Sequence, residues 1–161
     1  MKRIFKYSII ALLAAFSMGI ATSCDPEGLE IVKTDSSKYK APVMEQMSAV
    51  NITKQVYNDN GSFTFKWSKA EFGASAAISY NLVISSSSKK DLVLSANIAD
   101  VKLTIDAPTL YERLTGDDYL KLPKDTDTSF EAYVTATVGS NFDVLKSSPI
   151  TVKCHLDSIE E

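Results

Sequence analysis

The sequence predicts an all-β fold, a two-sheet antiparallel sandwich of about seven strands with one short helix. Three observations predict it. Apolar and polar residues alternate with period two in run after run beyond Pro42. Turn-forming clusters separate those runs. No run pairs with a long amphipathic helix, as a parallel sheet would require. Successive side chains of a strand point to opposite faces, so this alternation marks ribbons with one face on a core and one in water.

The strands follow in order. A loose first strand covers Val43 to Val50. Phe63, Phe65 and Trp67 alternate with Thr64 and Lys66, and Trp67 is in phase with the two phenylalanines, which predicts a core tryptophan. Ile78, Tyr80, Leu82 and Ile84 alternate with Ser79, Asn81 and Ser85, broken only by Val83. Leu92 and Leu94 form a short strand, and Val101, Leu103 and Ile105 alternate with Lys102, Thr104 and Asp106. Phe130, Ala132, Val134, Ala136 and Val138 make a long strand, and Ile150, Val152, Cys154 and Leu156 make the last. Asn58-Asp59-Asn60-Gly61, Ser85 to Lys90 and Gly139-Ser140-Asn141 punctuate them. Thr109-Leu110-Tyr111-Glu112 has the form of a capping box, Leu110 and Leu114 share one face, and Gly116 supplies a stop, which predicts the short helix.

The first 23 residues read as a targeting segment. Lys2, Arg3 and Lys6 precede an apolar run from Ser8 to Ile20 of roughly a dozen residues, the length of a signal-peptide core. A membrane-spanning helix needs about 20. Ile20-Ala21-Thr22-Ser23-Cys24 resembles a relaxed lipobox, so residues 1–23 are expected to be removed and Cys24 to carry the lipid. Several acyl chains anchor firmly where a single chain binds only marginally. Residues 24–40 are polar and charged and read as a flexible tether, with Leu29, Ile31 and Val32 the sole hint of docking. Residues 41–157 make the sandwich domain.

Composition narrows the function. Cleavage leaves 138 residues, enough for one core. It also removes three of the 17 basic residues against 20 acidic ones, so the mature chain is six charges negative. That balance argues against nucleic acid as a partner. With Cys24 committed to lipid, Cys154 has no disulfide partner, and the fold must stand on its apolar core.

The residues Phe63-Thr64-Phe65-Lys66-Trp67, Phe72-Gly73, Ala76-Ala77 and Tyr80-Asn81-Leu82-Val83-Ile84 resemble the N-terminal domain of the SusE/SusF family, outer-membrane lipoproteins of glycan-utilisation systems. Ala41-Pro42-Val43 resembles the family's domain start, Leu110 to Gly116 its short helix, and Glu131 to Gly139 its penultimate strand, so the resemblance spans about 41 to 156. It implies an immunoglobulin- or fibronectin III-like sandwich on the outer face of the outer membrane. Asp25 and Glu27, just after the lipidated cysteine, loosely fit surface export. Glycan and an outer-membrane glycan transporter complex are the partners it implies. The family's glycan-holding C-terminal domains have no counterpart before Glu161, so no glycan-binding residue carries over.

Candidate sites are few. Cys154 and His155 are neighbours on a strand and point to opposite faces, which argues against a shared metal and predicts a core thiol and a solvated imidazole. The only histidine has no Gly-x-Ser-x-Gly context. The carboxylate pairs Asp117-Asp118 and Glu160-Glu161 read as solvated. No enzyme activity, metal or cofactor is therefore expected. Tyr57, Phe72, Tyr119 and Phe142, with Tyr111 and Tyr133, are read as lying in loops or on outward faces, and the first four are the ligand candidates. Aromatic rings suit sugars because pyranose C–H faces pack on them while rim polar groups take the hydroxyls. The expected function is a non-catalytic accessory, binding or spacer module of a polysaccharide-utilisation system. The alternative is a structural or adhesion component of a surface assembly.

Overall fold

The structure is a computed structural model that describes residues 35–73, 75–139 and 142–159. The signal segment 1–23, Cys24 and the tether up to Thr34 lie outside the described residues. The body is an all-β sandwich. Its larger sheet runs in the order β1 (Val50–Ile52), β8 (Ile150–Leu156), β6 (Thr128–Thr137), β3 (Ser79–Ser85) and β4 (Leu92–Ile98), with the two-residue β7 (Leu145–Lys146) on β6. Its smaller sheet pairs β2 (Ser62–Lys66) with β5 (Lys102–Asp106). The pairing is antiparallel throughout except for β1, which lies parallel to β8 with Val50 opposite Cys154.

The alternating rows face inward as their period requires. Phe65, Trp67, Tyr80, Leu82, Ile84, Phe130, Ala132, Val134, Val152, Cys154 and Leu156 are all buried in one core. Trp67 packs against Tyr80 with ring centroids 5.7 Å apart, and the Tyr80 hydroxyl accepts the Ala70 amide at 3.0 Å. Val83, the break in the alternation, points away from that row but stands opposite Tyr133 and is itself buried.

The expected first strand is two pieces on two sheets. Lys40 bridges Glu71 and Met44 bridges Trp67, which lays residues 40–45 beside the extension of β2. The chain then crosses to the larger sheet and pairs as β1. The crossing explains the looseness of the pattern, because the inward face changes between the pieces. The Leu92–Leu94 strand is longer than expected. β4 runs to Ile98 with two register shifts against β3 and a left-handed Asn97, so its inward residues lose the period of two. A short helix α1 (Lys54–Asn58), capped by the Thr53 hydroxyl on the Val56 amide, was not expected.

The second helix, α2 (Ala107–Thr115), is the expected one, with a different start. Asp106 caps it, its carboxylate accepting the Thr109 amide at 2.9 Å, and Pro108 sits in the first turn, where no amide is missed. Thr109 is inside the helix, so the capping-box reading is corrected by three residues. Leu110 and Leu114 are fully buried, as their shared face predicts. Gly116 ends the helix without a left-handed turn. Its φ is −62°, and a Cβ there would lie 2.8 Å from both the Glu112 carbonyl oxygen and Tyr119 Cδ2, so the position demands glycine for space.

The two candidate caps separate in a denaturation experiment. Asp106→Ala should cost about 1 kcal/mol in urea unfolding, whereas Thr109→Ala should stay within about 0.5 kcal/mol. Equal losses would return the cap to Thr109.

Candidate functional site

The strand directions sort the loops onto two ends. At one end lie residues 35–44, where the described chain enters, and the described residues of the connections 67–78, 99–101 and 138–149. At the other lie α1, residues 86–91, α2 with residues 116–127, and the chain after Leu156.

Three rings meet at the entry end. Tyr39 lies 5.6 Å from Phe72 and 6.5 Å from Phe142, and Phe72 meets Phe142 edge-on at 5.9 Å. They come from three separate segments, and Lys40 adds an ion pair to Glu71 at 3.1 Å. Phe72 was expected on an outward face. It is instead 1% exposed, because Tyr39 and Phe142 close over it and its neighbour Ala70 is fixed to Tyr80. Phe142 stays half-buried. Tyr39 escapes sequence reasoning because it stands in a segment whose composition is that of a tether.

The opposite end is polar. Tyr57 is half-buried and meets the buried Tyr111 edge-on at 5.5 Å, so Tyr111 is a second ring expected outside and found inside. The Tyr111 hydroxyl donates to the Asp157 carbonyl at 2.8 Å. Tyr119 is half-buried beneath the Arg113 guanidinium, 4.3 Å from its ring centre. Asp125 binds the amide and hydroxyl of Ser158, and these bonds hold its carboxyl below the usual range. His155 is not simply solvated. Its Nδ1 is 2.7 Å from Asp127 and its Nε2 is 3.7 Å from Asp157. The described groups nearest both ring nitrogens are carboxylates. Among the described residues no cluster of histidine, cysteine and carboxylate groups could hold a metal.

The outer face of the larger sheet carries a third feature. Tyr133, expected outside, is on that face yet nearly buried, with its hydroxyl donating to Asp91 at 2.6 Å and the Lys146 ammonium 3.7 Å above its ring. Burial, then the Asp91 carboxylate, push the phenol up to about 12. Two open grooves lie on the surface of the described residues. One of about 280 Å³ runs between residues 45–48 and β2, with Gln46, Ser62, Thr64 and Lys66 among its walls. The other, of about 560 Å³, lies by Asn51, Asp127, Ser129 and Lys153. Thus Phe72 and Phe142 meet at one end, Tyr57 and Tyr119 are at the other, and no single aromatic platform gathers the four.

The SusE outer membrane protein family model matches residues 28–114, more than half of the chain, from before the described body through most of α2. This chain belongs to the SusE family. Membership associates it with the outer membrane and with glycan-utilisation systems. No curated protein and no solved structure matches it. The SusE match covers the strands from β1 to β5, including the Trp67 strand and the Phe72-Gly73 and Ala76-Ala77 spacing that carry the resemblance in the sequence.

Two buried acids make the body sensitive to alkali. Burial alone pushes the Cys154 thiol up to about 11. Both Cys154 and Tyr133 bind their protons more tightly folded than unfolded. Their contribution is complete below the unfolded values near 9 and 10 and is lost as pH rises through the folded ones. Stability measured by urea unfolding should therefore fall between about pH 9 and 12, and Tyr133→Phe with Cys154→Ala should flatten that fall. An unchanged slope in the double variant would assign the loss to other groups.

Proposed function

We propose that this SusE-family protein is a lipid-anchored, surface-facing module that carries out no bond chemistry and spaces or presents a binding surface within a glycan-utilisation assembly. Family membership supports the setting. The N-terminal sequence, with its basic start, apolar run and Cys24, supports cleavage after Ser23, lipidation of Cys24 and a tether from Cys24 that ends before Tyr39, which is docked on the body. The observation that carries the spacer role is the placement of the chain ends. The described chain enters the sandwich at one end and its last described residues lie at the other, so the long axis of the body separates whatever the two ends hold.

That polarity supports one end as the presenting surface. The end opposite the anchor carries Tyr57 and Tyr119, ringed by exposed Lys54, Lys90, Asp117, Lys121 and Asp125. Half-exposed rings beside hydrogen-bonding groups are the elements from which glycan subsites are built. A transporter complex would meet the same end or the free edges of β4 and β5, since an exposed strand can be extended by a partner's strand.

Intact mass spectrometry of the membrane fraction tests the anchor. The expected product begins at Cys24 and carries the mass of its acyl chains, and an unmodified amino terminus would overturn the anchor. Affinity electrophoresis through a panel of polysaccharides tests direct binding. Retardation that Tyr57→Ala and Tyr119→Ala relieve is expected of a glycan surface. No retardation by any polysaccharide would leave the spacer role alone.

A further inference from the structure

The two ends differ in polarity as well as in position, and the difference tracks the anchor. Four large apolar side chains are strongly exposed among the described residues, and three of them lie at the entry end: Val43 at 65%, Val101 at 36% and Val144 at 60%. The half-buried rings of Tyr39 and Phe142 stand there too. The fourth, Val93, is on the free edge strand β4. None is at the opposite end, where the exposed side chains around α1, α2 and residues 116–127 are largely charged.

We infer that the entry end is a membrane-contacting face, and that Val43, Val144, Phe142 and Tyr39 rest on the bilayer to which Cys24 is tied. The inference rests on the proposed lipidation of Cys24. Ten residues, eleven Cα–Cα steps, separate Cys24 from Asp35, and they reach at most about 40 Å when fully extended. A seven-residue strand is already about 23 Å long, and loops and helices lengthen the body further. The entry end can therefore touch the bilayer with chain to spare. The opposite end could do so only with the connection stretched back along the whole body.

Charge does not compete with this contact. The exposed ionic groups of the entry segments are Lys38, Lys40, Lys69 and Lys146 against Asp35, Glu71, Asp100 and Asp143, which balance, while the mature chain as a whole is acidic. A charge-balanced face with exposed valines and aromatic rings suits the interfacial zone, where aromatic side chains are enriched. The attraction is apolar, so salt should leave it unchanged. The area is small, and contact is expected only with the anchor already holding the body at the surface. The outcome is a fixed orientation: entry end down, Tyr57 and Tyr119 outward.

The test uses the full lipidated chain in vesicles of dibrominated phosphatidylcholine. An environment-sensitive fluorophore is attached to Val144→Cys, and in a second sample to Asp118→Cys at the far end, with the buried Cys154 protected by the fold. The expected result is a blue shift and several-fold stronger bromine quenching at 144 than at 118, unchanged by high salt. Val43→Asp with Phe142→Ser, in a body whose circular dichroism is intact, should abolish the difference. Equal, solvent-like signals at both sites on a protein that still sediments with the vesicles would overturn the membrane face and leave the anchor standing. Failure to sediment, with no acyl mass on Cys24, would overturn both.

Discussion

The structure depends on covering a broad sheet with a narrow one. Five strands in a row form the larger sheet, and only β2 and β5 pair fully in the smaller. A two-stranded ribbon cannot shield the inward rows of five strands, and every uncovered apolar side chain forfeits about 25 cal/mol per Å² of lost burial. The remaining cover comes from irregular pieces. Residues 40–45 widen the small sheet along one side. On the other part of the core, α2 and its following segment insert Ala107, Leu110, Leu114, Leu120 and Leu122, all buried. The helix is a component of the core and not an ornament between strands. This is why its cap at Asp106 and its glycine at 116 are so constrained. Leu122 donates its amide to the Leu114 carbonyl, and Leu120 donates to Arg113, so the segment after the helix is folded back onto it.

The same imbalance determines how the two flanks close. At the β1–β8 flank the chain itself crosses from sheet to sheet, and Val50, Ile52, Val152 and Leu156 are fully enclosed. At the other flank β4 and β5 each keep a free edge, and Leu92, Ile98, Leu103 and Ile105 are only half-buried. Free edges invite pairing with other chains, and proteins blunt them with charges and bulges. β5 carries Lys102 and Asp106, while β4, which has no charged residue, is interrupted by its two register shifts and Asn97.

These features separate what sequence alone discloses from what it does not. The strands with both neighbours in place, β3, β6 and β8, were legible because each has one inward face along its whole length. Trp67 and Cys154 followed from phase, and both are core residues. Pieces whose facing changes were not legible: the crossing at 45–50 and the bulged end of β4. The outward aromatics fared differently for a related reason. Phase tells which side of a sheet a ring is on, and Tyr133 is on the side expected. It does not tell what lies over the ring, and there Asp91 and Lys146 close over it. Phe72 and Tyr111 were read from loops and from a short helix, where phase has no hold. Loop rings are buried by other loops, and that meeting is a tertiary fact. Tyr39 shows the converse, a ring in a polar segment that becomes one of three fasteners.

Under the proposed anchor at Cys24, this fastening has a mechanical sense. Under that anchor, a pull from the membrane would be borne by the first described residues that engage the fold. Here those are the Tyr39 ring against Phe72 and Phe142, and the reciprocal backbone bonds between Lys40 and Glu71. Single contacts of this kind contribute about 0.5–1.5 kcal/mol each, but they are loaded together and join three segments to one another. The arrangement also makes use of one set of residues twice. The rings that tie the entry segment to the core are, on their uncovered sides, part of the apolar end of the body. Were Cys24 anchored as proposed, the groups that hold the entry segment would also set which face of the body looks toward the membrane. The charged opposite end would then face water. A sandwich built this way carries its direction in the distribution of its loops, while the sheets supply only length and rigidity.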